Sequence, residues 1–265
     1  MKRIQNKVVY TAVFGNYDTV SPVNPSWDCD FICFTDNPNF VSEGWQIVNV
    51  QLNNESPSQA NRRYKMLPHE YLPNYERSLY IDGNIKLVID PSPLFEKYLN
   101  KCLIAIPKHQ DRNCVYKEAQ LCIKEGRVDK EITEKQMASY KSEGFPEKFG
   151  MTENGILFRK HRDNDAIKLM NAWWEEYCNG GRRDQLSLPY LIWKHDINVV
   201  TVTEGPRINI NYFKIDLHLI DKSKPFFHRL VRQLTSRKHL NKNYLLLSRA
   251  INLLIVIRDN LPYKK

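Results

Sequence analysis

The stretch RSLYIDGN at positions 77–84 sets an apolar strand pattern directly before a carboxylate and a glycine turn. Leu79–Ile81 predict a buried strand, and Asp82-Gly83-Asn84 is typical of the place where such a strand ends. An earlier stretch, VVYTAVFGNYD at 8–18, has the same form. In open α/β sheets the ligand site lies at the carboxyl ends of the strands. These two polar loops are therefore expected at one edge of a sheet, beside a ligand.

The pattern of strands and helices continues on both sides of these stretches. Further strands are predicted at 29–35, 45–52, 102–106, 155–158 and 199–202. A helix is predicted over 58–71, with Ser58 as N-cap and a kink or end at Pro68. An apolar face over 164–177 predicts a second helix. This alternation is typical of a Rossmann-like α/β fold with a mostly parallel central sheet flanked by helices.

The composition is that of a folded protein, with 42% apolar and 26% charged residues, and it excludes global disorder. The net charge of +9 is uneven along the chain. Residues 221–265 contain 11 Lys/Arg and 2 Asp/Glu, whereas residues 1–220 contain 28 basic and 28 acidic side chains. We therefore expect a neutral domain over 1–220 and a basic tail over 221–265.

Several classes of protein are disfavoured because their motifs are missing. The six cysteines show no C-x-x-C spacing, so neither a zinc ribbon nor a disulfide framework is predicted, and free thiols in a reducing cytoplasm are expected. No apolar signal region follows the first residues, so no secretion signal is expected. The motifs G-x-S-x-G and H-E-x-x-H do not occur, which argues against a lipid hydrolase.

Asp82 is the first candidate for chemistry. Hard oxygen ligands at a strand end suit Mg²⁺ or Mn²⁺, the ions that bridge the phosphates of a nucleoside diphosphate sugar. The alternative is a plain β-turn, since Asp-Gly is common in hairpins. In the first loop, Gly15 allows close approach to a ligand, Tyr17 can stack on a base and Asp18 can accept from a ribose or base. The alternative there is a simple exit from the strand.

Three further groups of polar side chains lie next to predicted elements. They are a basic face of the 58–71 helix (Arg62, Lys65 and His69), a segment after the 102–106 strand (His109, Arg112 and Glu118) and the start of a later helix (Arg183, Asp184 and Gln185). The basic face suits a diphosphate and the second group suits sugar hydroxyls or phosphate; the alternatives are a solvated helix face and a surface turn. In the third group Asp184 is either a capping residue or a contact to the sugar.

The order and spacing of five segments resemble the TOD1/MUCI70-type glycosyltransferase domain, a former domain of unknown function with relatives in bacterial surface-polysaccharide loci. The segments are VVYTAVFGNYD, RRYKMLPHEYLPNYERSLYIDGNIKL, IAIPKHQDRNCVYKEA, GILFRKH, and WW followed by RRDQLS. They cover about residues 7–200. The resemblance implies a GT-A-like fold, a nucleotide-sugar donor and a divalent cation, Mn²⁺ or Mg²⁺.

The resemblance also implies a role for each matching position. The donor-binding residues it implies are Phe14, Gly15, Asn16, Tyr17, Asp18, Arg62, Lys65, His69, Asp82, Gly83 and Asn84. The catalytic residues it implies are Asp184, Gln185 and His109, the acceptor-binding residues are Arg112, Glu118 and Arg183, and the metal ligand is Asp82. The turn is Asp-Gly-Asn and not Asp-x-Asp, so the basic helix is expected to share in neutralising phosphate. The Asp-Gln pair is similar to one in several retaining GT-A families.

The tail contains two helical patterns. Phe226–Leu234 has arginines among apolar residues, and 244–257 is richly apolar but shorter than the ~20 residues that a spanning helix requires. Residues 222–258 are therefore expected to lie on an anionic membrane at its cytoplasmic face. The alternative is a helical hairpin packed on the domain. Nucleic-acid binding is not expected, because no nucleic-acid motif accompanies the charge.

Together these expectations describe a glycosyltransferase. The expected donor is a nucleotide sugar, with UDP-sugars favoured. The expected acceptor is a glycan or lipid-linked saccharide in surface polysaccharide, lipopolysaccharide or capsule synthesis, and the Asp-Gln pair favours retention of the anomeric configuration. The alternative is a catalytically inactive GT-A-like protein that binds carbohydrate or serves as a scaffold, which the missing second carboxylate supports.

Overall fold

A computed structural model describes residues 6–52 and 54–260. The structure does not describe positions 1–5, 53 and 261–265. The first five residues of the expected 1–220 domain and the last five of the expected 221–265 tail therefore lie outside the described residues. The strands in the described part are β1 (Lys7–Val13), β2 (Asp30–Thr35), β3 (Gln46–Asn49), β4 (Arg77–Ile81), β5 (Ile85–Leu87), β6 (Ile104–Ile106), β7 (Ile156–Arg159), β8 (Val199–Thr201) and β9 (Phe213–Ile215). The helices there are α1 (Pro57–Met66), α2 (Pro68–Tyr71), α3 (Ser92–Leu99), α4 (Val115–Lys124), α5 (Lys130–Ser142), α6 (Asn164–Asn179), α7 (Asp184–Lys194), α8 (Leu219–Lys222), α9 (Phe226–Arg237) and α10 (Lys242–Asn260).

Seven of these strands form one sheet in the order β3-β2-β1-β4-β7-β6-β8. β1 runs parallel to β2 and β4, β2 runs parallel to β3, and β6 runs parallel to β8. β7 is antiparallel to both of its neighbours, β4 and β6. The prediction of an α/β fold with a mostly parallel central sheet flanked by helices is confirmed.

The direction of β7 brings another loop to the carboxyl edge of the sheet. Its first residue, Ile156, pairs with Ile81 at the end of β4, and the backbone N–H of Asp82 donates to the Gly155 oxygen at 2.9 Å. The loop before β7 therefore meets the loops that follow β1, β4 and β6. β5 follows the Asp82 turn directly and pairs with β9. This pairing brings the segment around β9 to the same edge of the central sheet.

The central sheet is buried on both faces. Along β1, Val8 and Tyr10 belong to one hydrophobic core, and Val9 and Val13 belong to the other. Helices α1, α6 and α7 contribute to the first core, and α3 contributes to the second. Strands buried on both faces are near-continuous apolar runs in sequence, which explains why β1 is recognisable from its residues alone.

The N-terminus of α1 differs from the prediction. Ser56, not Ser58, is the N-cap, and its hydroxyl accepts from the Gln59 N–H at 3.2 Å. Pro57 occupies the first helical position, where its missing N–H leaves no hydrogen bond unmade. The helix therefore begins earlier than its apolar spacing indicates.

The predicted interruption at Pro68 is confirmed. α1 ends at Met66 and a separate helix, α2, begins at Pro68. The expectation that Arg62, Lys65 and His69 share one helix face is wrong, because His69 lies on α2. Arg62 and Lys65 remain together on α1.

The helices α8, α9 and α10 form a C-terminal helical appendage that begins at Leu219, and α9 packs against both of the others. At the turn between α9 and α10, Lys238 and His239 pair with Asp111 at 2.8 and 2.9 Å. The appendage thus contacts the loop that follows β6. No helix of the described residues combines the length and the apolar character needed to cross a bilayer.

Candidate active site

A cavity of about 750 Å³ opens at the carboxyl edge of the sheet. It is lined by the loops after β1, β4 and β6, the first part of α1, the loop before β7, the start of α7 and the segment between β8 and α8. The polar side chains along it are Tyr17, Asp18, Ser56, Ser58, Asn61, Arg62, Lys65, Asp82, Asn84, Glu153, Asn154, Arg183, Asp184, Gln185, Arg207 and His218. The loop that contains Gly15 and the turn that contains Asp82 therefore share one cavity, as the strand ends indicate.

The loop after β1 is held against the start of α1. Gly15 and Asn16 have φ angles of 63° and 54°, in the left-handed region that glycine and asparagine tolerate best. A Cβ at Gly15 would lie 2.9 Å from the side chain of Pro57. Asp36 accepts from the Gly15 N–H at 2.9 Å. The backbone of this loop can take its place only because residue 15 has no side chain.

Lys65 is a buried cation between two carboxylates. Its side chain is 2% exposed, and Nζ lies 2.8 Å from Asp184 Oδ2 and 3.7 Å from Asp82 Oδ1. Burial raises the pKa of Asp184, but the charges of Lys65 and Arg62 outweigh burial and hold that pKa well below its usual value. Asp82 accepts from the Tyr80 hydroxyl at 3.0 Å and keeps 40% of its side chain exposed. Asp184 is thus ionised and fixed, whereas Asp82 is accessible from the cavity.

His218 joins the site from the far end of the domain. Its Nδ1 lies 2.6 Å from Asp18 Oδ2, and the Leu219 N–H donates to the other carboxylate oxygen at 3.3 Å. Its Nε2 lies 3.3 Å from the amide nitrogen of Asn84, and its ring packs on Tyr17 with the centroids 5.0 Å apart. The hydrogen bond with Asp18 raises the pKa of His218. Asp18, 6% exposed, therefore supports His218, and its carboxylate is already engaged.

The start of α7 is set by close contact with α5. The Gly181 N–H donates to Gln136 Oε1 at 3.0 Å, and a Cβ at Gly181 would lie 2.4 Å from Thr133 Oγ1. Asp184, the first residue of α7, directs its carboxylate at Lys65 and does not cap the helix. The glycine turn thus delivers this carboxylate to the floor of the cavity.

The sequence profile of the TOD1/MUCI70, glycosyltransferase-like domain matches residues 33–215. The chain belongs to this family. Over 223 residues it is 28% identical to the probable hexosyltransferase MUCI70 of Arabidopsis thaliana, in an alignment that covers 71% of the chain and 37% of that relative. The chain therefore spans little more than a third of the length of the curated relative it matches. The resemblance found in the sequence is confirmed.

Two solved structures also align with this TOD1/MUCI70-family chain. One is mouse xyloside xylosyltransferase 1 in its apo form, with 8% identity and a TM-score of 0.41, covering 74% of this chain and 84% of that one. The other is the galactosyltransferase LgtC in complex with donor and acceptor sugar analogs, with 15% identity and a TM-score of 0.40, covering 76% of this chain and 74% of that one.

Most of the residues selected from the sequence line the cavity of this family member. They are Phe14, Gly15, Tyr17, Asp18, Arg62, Lys65, Asp82, Gly83, Asn84, Arg183, Asp184 and Gln185. Five of the selected residues lie outside its lining, namely Asn16, His69, His109, Arg112 and Glu118. The cavity thus unites the predicted donor loop, the basic helix, the strand-end turn and the Arg-Asp-Gln segment.

Local contacts explain where these five residues lie. Asn16 accepts a hydrogen bond from the loop after β2 at 2.9 Å, and His69 lies on α2 beyond the helix break. Arg112 pairs with Glu118, whose side chain is fully buried, so the two close the first turn of α4. His109 accepts from its own loop at 3.2 Å, and burial lowers its pKa to about 4.

The cavity also contains side chains that sequence reasoning missed. Arg207 pairs with Glu153 on the wall next to β7, and Asn154 Nδ2 lies 3.5 Å from Asp184 Oδ2. The Asn-Gly pair at 154–155 is a turn signal that could have marked this loop. His218 offers no such local signal, since its partner in the site is 200 residues away.

Proposed function

We propose that this protein is a glycosyltransferase whose donor is a nucleotide-diphosphate sugar, with UDP-sugars favoured. Its family and its relative named as a probable hexosyltransferase support transfer of a hexose. The observation that carries the proposal is the meeting of the Gly15 loop, Asp82 and Lys65 in one cavity. A close backbone approach, an accessible carboxylate and a buried cation are what a diphosphate with its counter-ion needs.

In this proposal the donor diphosphate lies beside Asp82 and the basic helix α1. Arg62 and Lys65 stabilise the negative charge on the departing nucleoside diphosphate. The bond between the anomeric carbon and the phosphate oxygen breaks, the acceptor hydroxyl oxygen forms the new bond to that carbon, and the hydroxyl proton passes to the departing phosphate oxygen. Asp184 accepts from sugar hydroxyls and is not the base, because a carboxylate with a lowered pKa is a weak base. Gln185 next to it faces the anomeric carbon, and we propose retention of configuration.

The proposed acceptor is a glycan or lipid-linked saccharide of surface polysaccharide, lipopolysaccharide or capsule synthesis. It enters beside Arg183 and the loop after β6, which contains His109. Arg183 lines the cavity and donates to Gln185 at 2.9 Å. An acceptor held here would reach the anomeric carbon from the side of α7.

A divalent cation fits at the donor end of the cavity, where the protein would supply only a few of its ligands. Within residues 6–52 and 54–260, no three His, Cys, Asp or Glu side chains cluster closely enough to hold an ion unaided. Asp82, Asn84 and His218 line the same cavity, and a hydrogen bond to a carboxylate such as Asp18 is what orients a metal-bound histidine. Mg²⁺ usually takes one or two carboxylates and completes its shell with phosphate and water. When bound, the ion neutralises charge on the leaving group.

The second candidate is an inactive carbohydrate-binding or scaffold protein of the same fold. The turn after β4 favours it, because Asp-Gly-Asn contains one carboxylate where Asp-x-Asp contains two. The position of Lys65 favours the enzyme, since an ammonium 3.7 Å from Asp82 already supplies positive charge at this place. The two candidates differ in whether the bond between the sugar and the phosphate of a bound donor is cleaved.

Replacement of Asp82 tests the transferase proposal. The protein is incubated with a panel of UDP- and GDP-sugars and Mn²⁺, and released nucleotide is measured; we expect release from one donor. Asp82→Ala is expected to lower this release by about 100-fold or more, because the carboxylate that would hold the divalent cation at the diphosphate is lost. Asp165→Ala removes an exposed carboxylate on α6 and is the matched control, with release unchanged.

Circular dichroism should show that both variants keep the wild-type fold. Full activity of Asp82→Ala in buffer with a chelator would remove the metal role of Asp82. Tight binding of a donor by the wild type without any release would favour the scaffold protein.

We further propose that residues 222–258 bind the inner, cytoplasmic face of the cell membrane. Phe226 and Phe227 at the start of α9 are 71% and 45% exposed, and Leu246 and Leu247 on α10 are 61% and 49% exposed. Exposed arginines share α9 with these phenylalanines. Apolar side chains among cations suit the interface of an anionic bilayer. Such contact would bring the cavity to a lipid-linked acceptor.

A further inference from the structure

A buried arginine lies beneath the candidate active site. Arg159, the last residue of β7, is 0% exposed, and burial lowers its pKa. Among the described residues it has no carboxylate within salt-bridge distance. A buried charge of this kind is costly unless its hydrogen bonds are satisfied. The hydrogen bonds of Arg159 therefore indicate its role.

Two of these hydrogen bonds converge on one backbone oxygen, one of them directly and the other through Tyr10. Arg159 Nη1 donates to the Lys65 carbonyl oxygen at 2.7 Å, and Nη2 donates to the Tyr10 hydroxyl. Tyr10 in turn donates to the same Lys65 oxygen at 3.0 Å. The guanidinium lies over the Tyr10 ring, 5.7 Å from its centroid. We name this pair of donors the Arg159–Tyr10 clamp.

The clamped carbonyl is one that the break at Pro68 leaves without a helical partner. Lys65 is in the last turn of α1. In an uninterrupted helix its carbonyl oxygen would accept from the N–H of His69, which lies beyond Pro68. The last bond of α1 runs from the Leu67 N–H to the Arg63 oxygen. The final carbonyls of a helix carry partial negative charge, so a buried cation matches them. The clamp thus ties the end of α1 to β1 and β7.

The other end of the same residue lies in the cavity. The Lys65 ammonium is 2.8 Å from Asp184 and 3.7 Å from Asp82. We propose that the Arg159–Tyr10 clamp is a positioning device that fixes the backbone of Lys65 and thereby the place of its ammonium. Through Lys65 it sets the affinity of the cavity for a nucleoside diphosphate. This last step rests on the proposed function, whereas the placement of Lys65 does not.

The placement is tested by NMR of lysine side chains in the full chain. Tyr10→Phe removes one donor and keeps the ring, and Arg159→Lys keeps the charge but loses the forked donors. Both are expected to shift the ¹³Cε and ¹⁵Nζ signals of Lys65, which are assigned with Lys65→Met. Met170→Leu is the matched control: it contacts Arg159 through Sδ at 3.3 Å but not the clamped carbonyl, and the Lys65 signals should stay in place.

The effect on affinity is tested with UDP and Mn²⁺ by calorimetry. Tyr10→Phe is expected to weaken UDP binding by about 3- to 10-fold, the range for one buried hydrogen bond. In the Lys65→Met background the same change is expected to alter binding by less than ~1.5-fold, because its effect passes through Lys65.

Two results would overturn the inference: unmoved Lys65 signals in Tyr10→Phe, or an equal loss of affinity in both backgrounds. Thermal unfolding checks that each variant is folded. Tyr10→Phe is the mildest change, and its Lys65 signals alone are sufficient to decide whether the clamp positions Lys65. If the wild type binds no nucleotide, the donor proposal fails, while the Lys65 signals still decide whether the clamp positions this residue.

Discussion

His161 is a histidine that the fold keeps uncharged. It is 0% exposed, and its Nε2 lies 3.1 Å from the Leu72 carbonyl oxygen. Burial lowers its pKa to about 4, whereas an unfolded histidine has a pKa of about 6.5. Between these pH values the unfolded chain binds a proton that the native protein does not. The contribution of His161 to the free energy of unfolding is therefore fully present above pH ~6.5 and is lost as the pH falls towards 4.

A glutamine at this position retains an N–H donor for Leu72 but does not titrate. We expect the wild type to lose about 2–3 kcal/mol more free energy of unfolding than His161→Gln between pH 7 and pH 4.5. Urea unfolding at the two pH values measures this difference. His195→Gln, at an exposed position after α7, should keep the wild-type pH dependence. Equal losses in the wild type and His161→Gln would show that another group is responsible.

At the same scale, the sequence identifies residues by their local context but not by their partners. Asp82 and Lys65 can be selected because one ends a strand and the other lies on a basic helix. The sequence suggested that Asp18 contacts a ribose or base. It gave no sign that the Asp18 carboxylate pairs with His218. Which side chains meet across a sheet depends on the fold and cannot be read from spacing.

The short turn before α7 depends on two glycines that pack on α5. A methyl group at Gly181 would lie 2.4 Å from Thr133 Oγ1, so Gly181→Ala must displace either the turn or α5. We expect a loss of about 1–3 kcal/mol in the free energy of unfolding. Nucleotide release should also fall, because Asp184 follows this turn.

Chemical denaturation and the donor assay measure these two effects. Gly205→Ala is the matched control, since the nearest atom to its new methyl group, Ile208 Cδ1, is 3.9 Å away. Wild-type stability in Gly181→Ala would show that the contact with α5 relaxes freely and that α7 does not depend on it.

Elements with strong periodicity are those that the sequence predicts well. The strand at 29–35 and the helix at 164–177 match β2 and α6 to within two residues. The pairing of β5 with β9 was missed, because β9 has only three residues and Ile85 pairs with the distant Ile215. The antiparallel direction of β7 was also missed, since an apolar run does not indicate which way its strand points.

For the molecule as a whole, the basic tail is the part that we expect at a membrane. Flotation with vesicles measures this directly. The wild type should float with vesicles that contain phosphatidylserine and not with pure phosphatidylcholine, and 0.5 M salt should release it because screening weakens its cationic contacts. A double change of Phe226 and Phe227 to alanine should weaken flotation, since two inserted rings are lost.

Val41→Ala removes an apolar side chain that is 86% exposed outside the tail, and it should float like the wild type. Equal flotation with neutral and anionic vesicles would contradict the electrostatic part of the proposal. Absence of flotation in every case would favour a tail that serves only as a helical appendage of the domain.

The contact between Asp18 and His218 joins points of the chain that are 200 residues apart. Ribosomes add residues in order, and contacts of such separation form late because a long loop must close first. During synthesis, β1 and its glycine loop exist well before the histidine that completes their wall. A growing chain can therefore build most of its central sheet before the wall of the cavity is complete, and the cavity takes its final form only when almost the entire domain has emerged.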